Sequence, residues 1–199
     1  MGYFLLWILT WSVIWLVFNV YFKWRFYKLK TLGYIEFAIF FSINFAIIFL
    51  LFNKFLVGSI YQLLLGLIIT NVIGIVFGSV VPLYKKIKRG RYFLVFHSFD
   101  ILMQQSMIVA GVLILKNSLG QNYSDFFFGG LFLLAHFPII FLKWLKPEVR
   151  YLYLILTFLG GALFSHLIVN TTLGVTISFL AHFLIYVVLI EFIKDERKI

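Results

Sequence analysis

Apolar residues fill the chain in runs of about twenty, the length a helix needs to cross a bilayer, and clusters of Lys and Arg punctuate them. The runs lie at Tyr3–Phe22, Tyr34–Phe52, Phe55–Val81, Phe93–Leu115, Ser124–Leu142, Tyr151–Val169 and Val175–Ile193. This pattern predicts an all-α fold, a polytopic membrane bundle of about seven transmembrane helices. The first run has no basic leader and no small-residue cleavage site, so it reads as a retained helix and not a signal peptide. Between the runs come basic loops at 23–30, 85–91 and 143–150, a short turn at Asn53-Lys54, a polar loop at Lys116–Asn122, an uncharged turn at Asn170–Gly174 and a charged tail from Lys194.

If seven spans alternate across the membrane, the three basic loops and the tail share one side. Every Lys and Arg except Lys54 and Lys116 then falls on that side. The positive-inside rule makes it cytoplasmic, with the N-terminus outside and the C-terminus in the cytoplasm of a multi-pass cell-membrane protein.

Composition supports the same class. Residues are 63% hydrophobic and only 12% charged, with a mean hydropathy of +1.06, whereas a soluble domain carries about 25% charged residues. One membrane domain over residues 1–199 is expected. The absence of Cys excludes disulfides, zinc–thiolate sites and a Cys nucleophile. The net charge of +10 would suit nucleic acid, but its segregation to one side makes it a topology signal that also meets anionic headgroups. The expected partner is therefore the lipid bilayer, with no nucleic acid.

One stretch breaks the apolar pattern. Within the fourth run, His97, Asp100, Gln104 and Gln105 place four strong hydrogen-bonding side chains in nine residues. Such groups cost several kcal/mol in hydrocarbon unless they are paired or line a wet cavity. At about 100° per residue, His97, Asp100 and Gln104 share one helix face, and Gln105 sits about 100° round from Gln104. At about 1.5 Å per residue, Asp100 and His136 lie about 10 Å from the cytoplasmic ends of their runs, and Gln104, Gln105 and His182 about 17 Å. These five residues can occupy one layer, while His166, about 22 Å from that side, is out of register. A lone intramembrane His is most often a helix–helix hydrogen bonder; two of them beside an acid and two amides point towards a site.

Phe132-x-x-x-His136, the glycine-rich Leu159-Gly160-Gly161-Ala162-Leu163 and Ser178-x-x-x-His182, in this order, resemble the CPBP family. That family includes the CAAX-type prenyl endopeptidases and the bacteriocin-processing and self-immunity membrane proteins. The resemblance covers about residues 93–192. It implies peptide-bond hydrolysis inside the membrane by an activated water, with His136 and His182 as partners and, where a divalent metal takes part, as its ligands. It also implies a membrane-embedded or lipidated peptide as substrate or ligand.

The family pattern E-E-x-x-x-R is replaced by Gln104-Gln105 and Val109, and Tyr186 stands where the last motif has Asn. His166-Leu167-Ile168-Val169-Asn170 matches that last motif literally, but its depth and its place before the final helix favour His182. An amide has no useful basicity, so neither Gln can be a general base, and Asp100 is the nearby carboxylate that could take over. Either Gln could still donate a hydrogen bond to a substrate carbonyl. Glu36 and Glu191 fall near run ends and read as interfacial.

Two functions follow. One is an active endopeptidase using Asp100, His136 and His182 with the Gln pair. The other is a degenerate relative that binds a peptide or lipidated tail in an immunity or scaffold role. A small transporter would draw on the same polar layer, without the paired broken helices expected of it.

Overall fold

A computed structural model of the chain describes residues 2–18, 20, 31–80, 90–137 and 147–195. Among them there are seven long helices and no strand: α1 (Gly2–Val17), α2 (Thr31–Leu51), α3 (Ile60–Val80), α4 (Gly90–Leu119), α5 (Gln121–His136), α6 (Pro147–Asn170) and α7 (Gly174–Asp195). Three segments are long and apolar enough to cross a membrane, namely Asn53–Val76, Leu94–Leu119 and Arg150–Asn170. Gly2–Val17, Ile35–Leu51 and Gly174–Ile185 form shorter apolar helices among the described residues. The cationic loop residues Lys23–Lys30, Lys85–Arg89, Lys143 and Lys146, and the tail beyond Asp195, lie outside the described residues, as do the side chains of Tyr186 and Glu191.

Two boundaries differ from those the sequence pattern predicts. The third apolar run is not one helix. Phe52 leaves the helical region at φ −118° and ψ 24°, a single helical turn follows at Asn53–Leu56, and a 3-10 turn at Val57–Ser59 leads into α3. Gly58 and Ser59, both weak helix formers, sit in that turn.

The expected polar loop at Lys116–Asn122 is almost entirely helical. Helix α4 continues to Leu119 and α5 starts at Gln121. The whole break is Gly120, whose φ of +80° is a left-handed conformation open to glycine at little cost. Polarity made this segment look like loop, but Lys, Asn and Ser at a helix end are compatible with an exposed final turn.

Helix α4 is the hub. It has 30 residues, about 45 Å of helix, and packs against each of the other six helices. Of its apolar window, 78% is buried, against 22% and 28% for the other two candidate spans. Polarity is inverted relative to a water-soluble bundle. Thr70, Ser98, Gln105, Ser106, Ser124, Ser165 and Ser178 are buried, while Leu9, Leu50, Ile68, Phe126 and Leu134 face outward. An outer surface of large apolar side chains over a polar-seamed interior is what hydrocarbon solvent selects.

Specific contacts fix the arrangement. Trp7 of α1 donates its indole N–H to the Met107 carbonyl of α4 at 2.7 Å. Gly111 makes this possible, because a Cβ there would come within 2.7 Å of the Trp7 ring. In a helix the side chain at i+4 overhangs the carbonyl at i, so glycine at 111 exposes the oxygen of residue 107. On the other flank Ser98 bonds Asn71 of α3 at 2.9 Å.

At the 171–173 turn, Gln62 of α3 donates to the Thr172 carbonyl and accepts from the Val175 backbone N–H, both at 3.1 Å, satisfying one of the orphan donors that open α7. Gly174 lies directly against the Leu167 carbonyl, where no Cβ fits. Helices α5 and α6 approach closely through Gly129 and Gly161.

Gly111→Ala should drive a methyl into the Trp7 ring and destabilise the protein by about 1–3 kcal/mol in bicelle unfolding. Trp7→Phe, which loses the N–H but keeps a ring, should cost about 0.6–2 kcal/mol. An undiminished Gly111→Ala protein would refute this account of the α1–α4 contact.

Candidate functional site

The polar stretch of α4 divides between two partners. On one side the Gln104 amide donates to Asp100 Oδ1 at 2.7 Å, a pair one turn apart on the same helix. His97 Nδ1 stands 3.5 Å from the other carboxylate oxygen, so His97, Asp100 and Gln104 line up as the 100° rule predicts. On the other side Gln105 faces α7. Its amide nitrogen donates to Ser178 Oγ at 2.5 Å, and its amide oxygen lies 3.3 Å from His182 Nδ1. Ser178 in turn donates to the Val175 carbonyl at 3.0 Å. Ser178 and His182, one turn apart, present both partners to a single side chain of α4.

These bonds fix ring chemistry. A carbonyl or amide oxygen can only accept, so His182 Nδ1 carries the proton in its bond to Gln105. The same reasoning applies to His136, whose Nδ1 donates to the Phe132 carbonyl at 2.7 Å. In its neutral form each ring therefore offers Nε2 as a lone pair. The two rings are joined by an aromatic chain. Phe132 lies 4.6 Å from His136 and 6.0 Å from Phe164, and Phe164 lies 5.6 Å from His182, all between ring centroids. The ring of Tyr153 of α6 lies 6.0 Å from that of His136. His97 and His136 are both electrostatic neighbours of His182. Gln105 and His182 thus meet directly, His136 joins them through the aromatic chain, and Asp100 and Gln104 pair on the neighbouring face of α4.

His166 and Asn170 do not join them. They belong to a second cluster between α5 and α6, in which Asp125 accepts from Ser165 at 2.6 Å and from His166 Nδ1 at 3.2 Å. Asn170 donates its side-chain N–H to the His166 backbone carbonyl at 3.0 Å. The literal His166-x-x-x-Asn170 match is therefore an arrangement around Asp125, remote in partners from Gln104 and Gln105. Asp125 was not a sequence candidate. Its signal was a carboxylate inside the fifth apolar run, on the helix preceding a His-x-x-x-Asn pair.

Among the described residues no three His, Cys, Asp or Glu side chains are grouped closely enough to hold a metal ion. His136 and His182 therefore do not by themselves fit the metal centre that the resemblance implies, and no chemistry here is assigned to a metal. Compared with known proteins, the chain matches no family model, no curated sequence and no solved structure.

The two glutamines should respond differently to substitution. Gln105→Leu strands the buried Ser178 and His182 groups and should cost about 1–3 kcal/mol in bicelle unfolding. Gln104→Leu, partly exposed and bonded within its own helix, should cost less than about 1 kcal/mol. Equal losses would mean that Gln105 does not clamp α4 to α7.

Proposed function

We propose that the chain is a seven-span membrane protein, N-terminus outside and C-terminus cytoplasmic, that holds a membrane-embedded or lipidated peptide without hydrolysing it. On this reading it is a CPBP-like relative with a degenerate first motif. The observation that carries the proposal is the use made of Gln105. At the position where the family keeps a glutamate, both polar atoms of the amide are engaged with Ser178 and His182 of α7. A residue that activates water needs a basic atom turned towards that water, and this side chain has neither the basicity nor the orientation. Asp100 has the basicity, but one oxygen is held by Gln104 and the other faces His97.

Binding makes fewer demands. It requires a polar, aromatic-walled cluster of defined hydrogen-bonding sense within the bundle, and the Gln105 amide with the rings of His182, Phe164, Phe132 and His136 supports that reading. The membrane placement rests on the three long apolar segments, the outward-facing apolar surface and the charge segregation of the loops.

Two experiments test these statements. Because the chain has no Cys, single-cysteine variants report topology directly. In intact cells, Asn117→Cys should react with a membrane-impermeant maleimide, and Lys88→Cys should react only after permeabilisation; the reverse pattern would invert the topology. In liposomes, the wild-type protein should bind lipidated or membrane-inserted peptides without releasing fragments, and His136→Ala should weaken that binding by about tenfold. Fragment release by wild type that disappears in Asp100→Asn would instead establish the endopeptidase.

A further inference from the structure

Helices α5 and α6 form the most extensive helix–helix contact among the described residues, and it is closed at three levels. At one end Asp125 of α5 accepts from Ser165 and His166 of α6, at 2.6 and 3.2 Å. In the middle Gly129 lies against Phe158 and Ala162, and Gly161 against Phe132, each so close that an added Cβ would displace a neighbour. At the other end the rings of His136 and Tyr153 stand 6.0 Å apart. Small residues let the two backbones interlock and the carboxylate fixes their register, so the pair is built as one body.

The other helices are tied differently. Trp7 bonds α1 to α4, Ser98 bonds α4 to Asn71 of α3, Gln105 bonds α4 to α7, and Gln62 bonds α3 to the start of α7. Against this hydrogen-bonded frame the α5–α6 pair places rings. Phe128 lies 6.5 Å from Trp7 and Phe164 lies 5.6 Å from His182, between centroids. In hydrocarbon a ring can exchange a protein neighbour for a lipid chain at little cost, whereas lipid offers no substitute for a buried hydrogen bond.

Both chain connections from the pair to the frame lie at the Asp125 end. Helix α5 follows α4 after Gly120 alone, a residue free to absorb a change in backbone angle, and α6 reaches α7 through residues 171–173. Gln62 holds that turn by the Thr172 carbonyl, which fixes this end to α3. The opposite end carries His136 and Tyr153. The 16 residues of α5 make a lever of about 24 Å, and a rotation of about 15° carries its far end about 6 Å.

We infer that α5 and α6 swing as one rigid pair about Gly120 and the 171–173 turn, parting Phe164 from His182 and opening Gln105 and His182 sideways to the lipid. The swing gives a chain embedded in the bilayer a lateral route to these two residues. It serves the peptide-binding reading proposed above, while the motion itself does not rest on that reading.

The test is double electron–electron resonance between spin labels on paired cysteines, with the full-length protein in lipid nanodiscs. The chain has no native Cys, and the labelled positions are all exposed. Leu134→Cys on α5 with Val76→Cys on α3 spans the moving boundary. Val76→Cys with Leu184→Cys reports the frame, Leu134→Cys with Leu152→Cys reports the pair, and Tyr61→Cys with Tyr123→Cys spans the boundary at the pivot. The first combination should show two distances separated by about 6 Å, and each of the other three a single narrow one. Phe164→Ala, which removes the ring against His182, should enrich the longer Leu134–Val76 distance at least about twofold. Phe164→Leu serves in its place if the alanine variant does not fold.

A single narrow Leu134–Val76 distance, unmoved in the Phe164 variants, overturns the swing. A second distance that also appears between Leu134 and Leu152 overturns the rigid pair, and one between Tyr61 and Tyr123 overturns the pivot. Added farnesylated peptide should change the proportions of the two Leu134–Val76 distances. Unchanged proportions alongside measured binding overturn the lateral route, whereas two distances with no binding support the swing and remove the peptide-binding reading.

Discussion

A polar side chain on the central helix has no lipid or solvent to fall back on, so it must find its partner inside the bundle. Because α4 is packed against all six other helices, those of its polar groups that bond outside the helix also constrain a neighbour. Gln105 determines where α7 sits, since Ser178 and His182 must both meet one amide. Ser98 ties α3 through Asn71. The exposed Met107 carbonyl, opened by Gly111, receives the Trp7 indole and places α1. Apolar burial gives little reason for one helix to prefer another when lipid is equally apolar, so these few bonds and the close approaches of small residues supply the specificity.

The same constraint separates two polar clusters that look alike in sequence. Each contains an Asp, a His and an amide. Around Asp100 the groups come from α4 itself, with the Gln104 amide at 2.7 Å from one carboxylate oxygen and His97 Nδ1 at 3.5 Å from the other. Around Asp125 a buried serine, a histidine and, through that histidine, an asparagine converge from α6, and the carboxylate accepts from two of them. A carboxylate with its donors supplied by the fold serves as a cross-link between helices. The two carboxylates differ in where their neighbours come from, the same helix for Asp100 and the facing helix for Asp125.

Much of this architecture was legible in the chain. Runs of apolar residues fixed the number and approximate ends of the helices, because only a helix satisfies its own backbone in hydrocarbon. The 100° periodicity put His97, Asp100 and Gln104 on one face, and depth along the runs set His182 level with Gln105 and His166 apart, with Asp125. These are one-dimensional properties, set by rise and turn per residue. Polarity misled at Lys116–Asn122, where only Gly120 leaves the helix; Asn53 and Lys54 marked the break after Phe52, whereas the 3-10 turn at Val57–Ser59 lay hidden within the third apolar run.

What only the tertiary structure decided is pairing. Gln104 and Gln105 are adjacent in the chain and chemically identical, yet one bonds its own helix and the other bridges to α7. Neighbouring residues on a helix point about 100° apart, so their partners depend on which helices stand on each side. For the same reason the sequence could name His166 and Asn170 as a motif without revealing that Asp125, forty-one residues before His166, is what they hold. The polar inventory of the bundle interior is written in the chain, whereas its division into an intrahelical pair, a clamp and a cross-link follows from packing around α4.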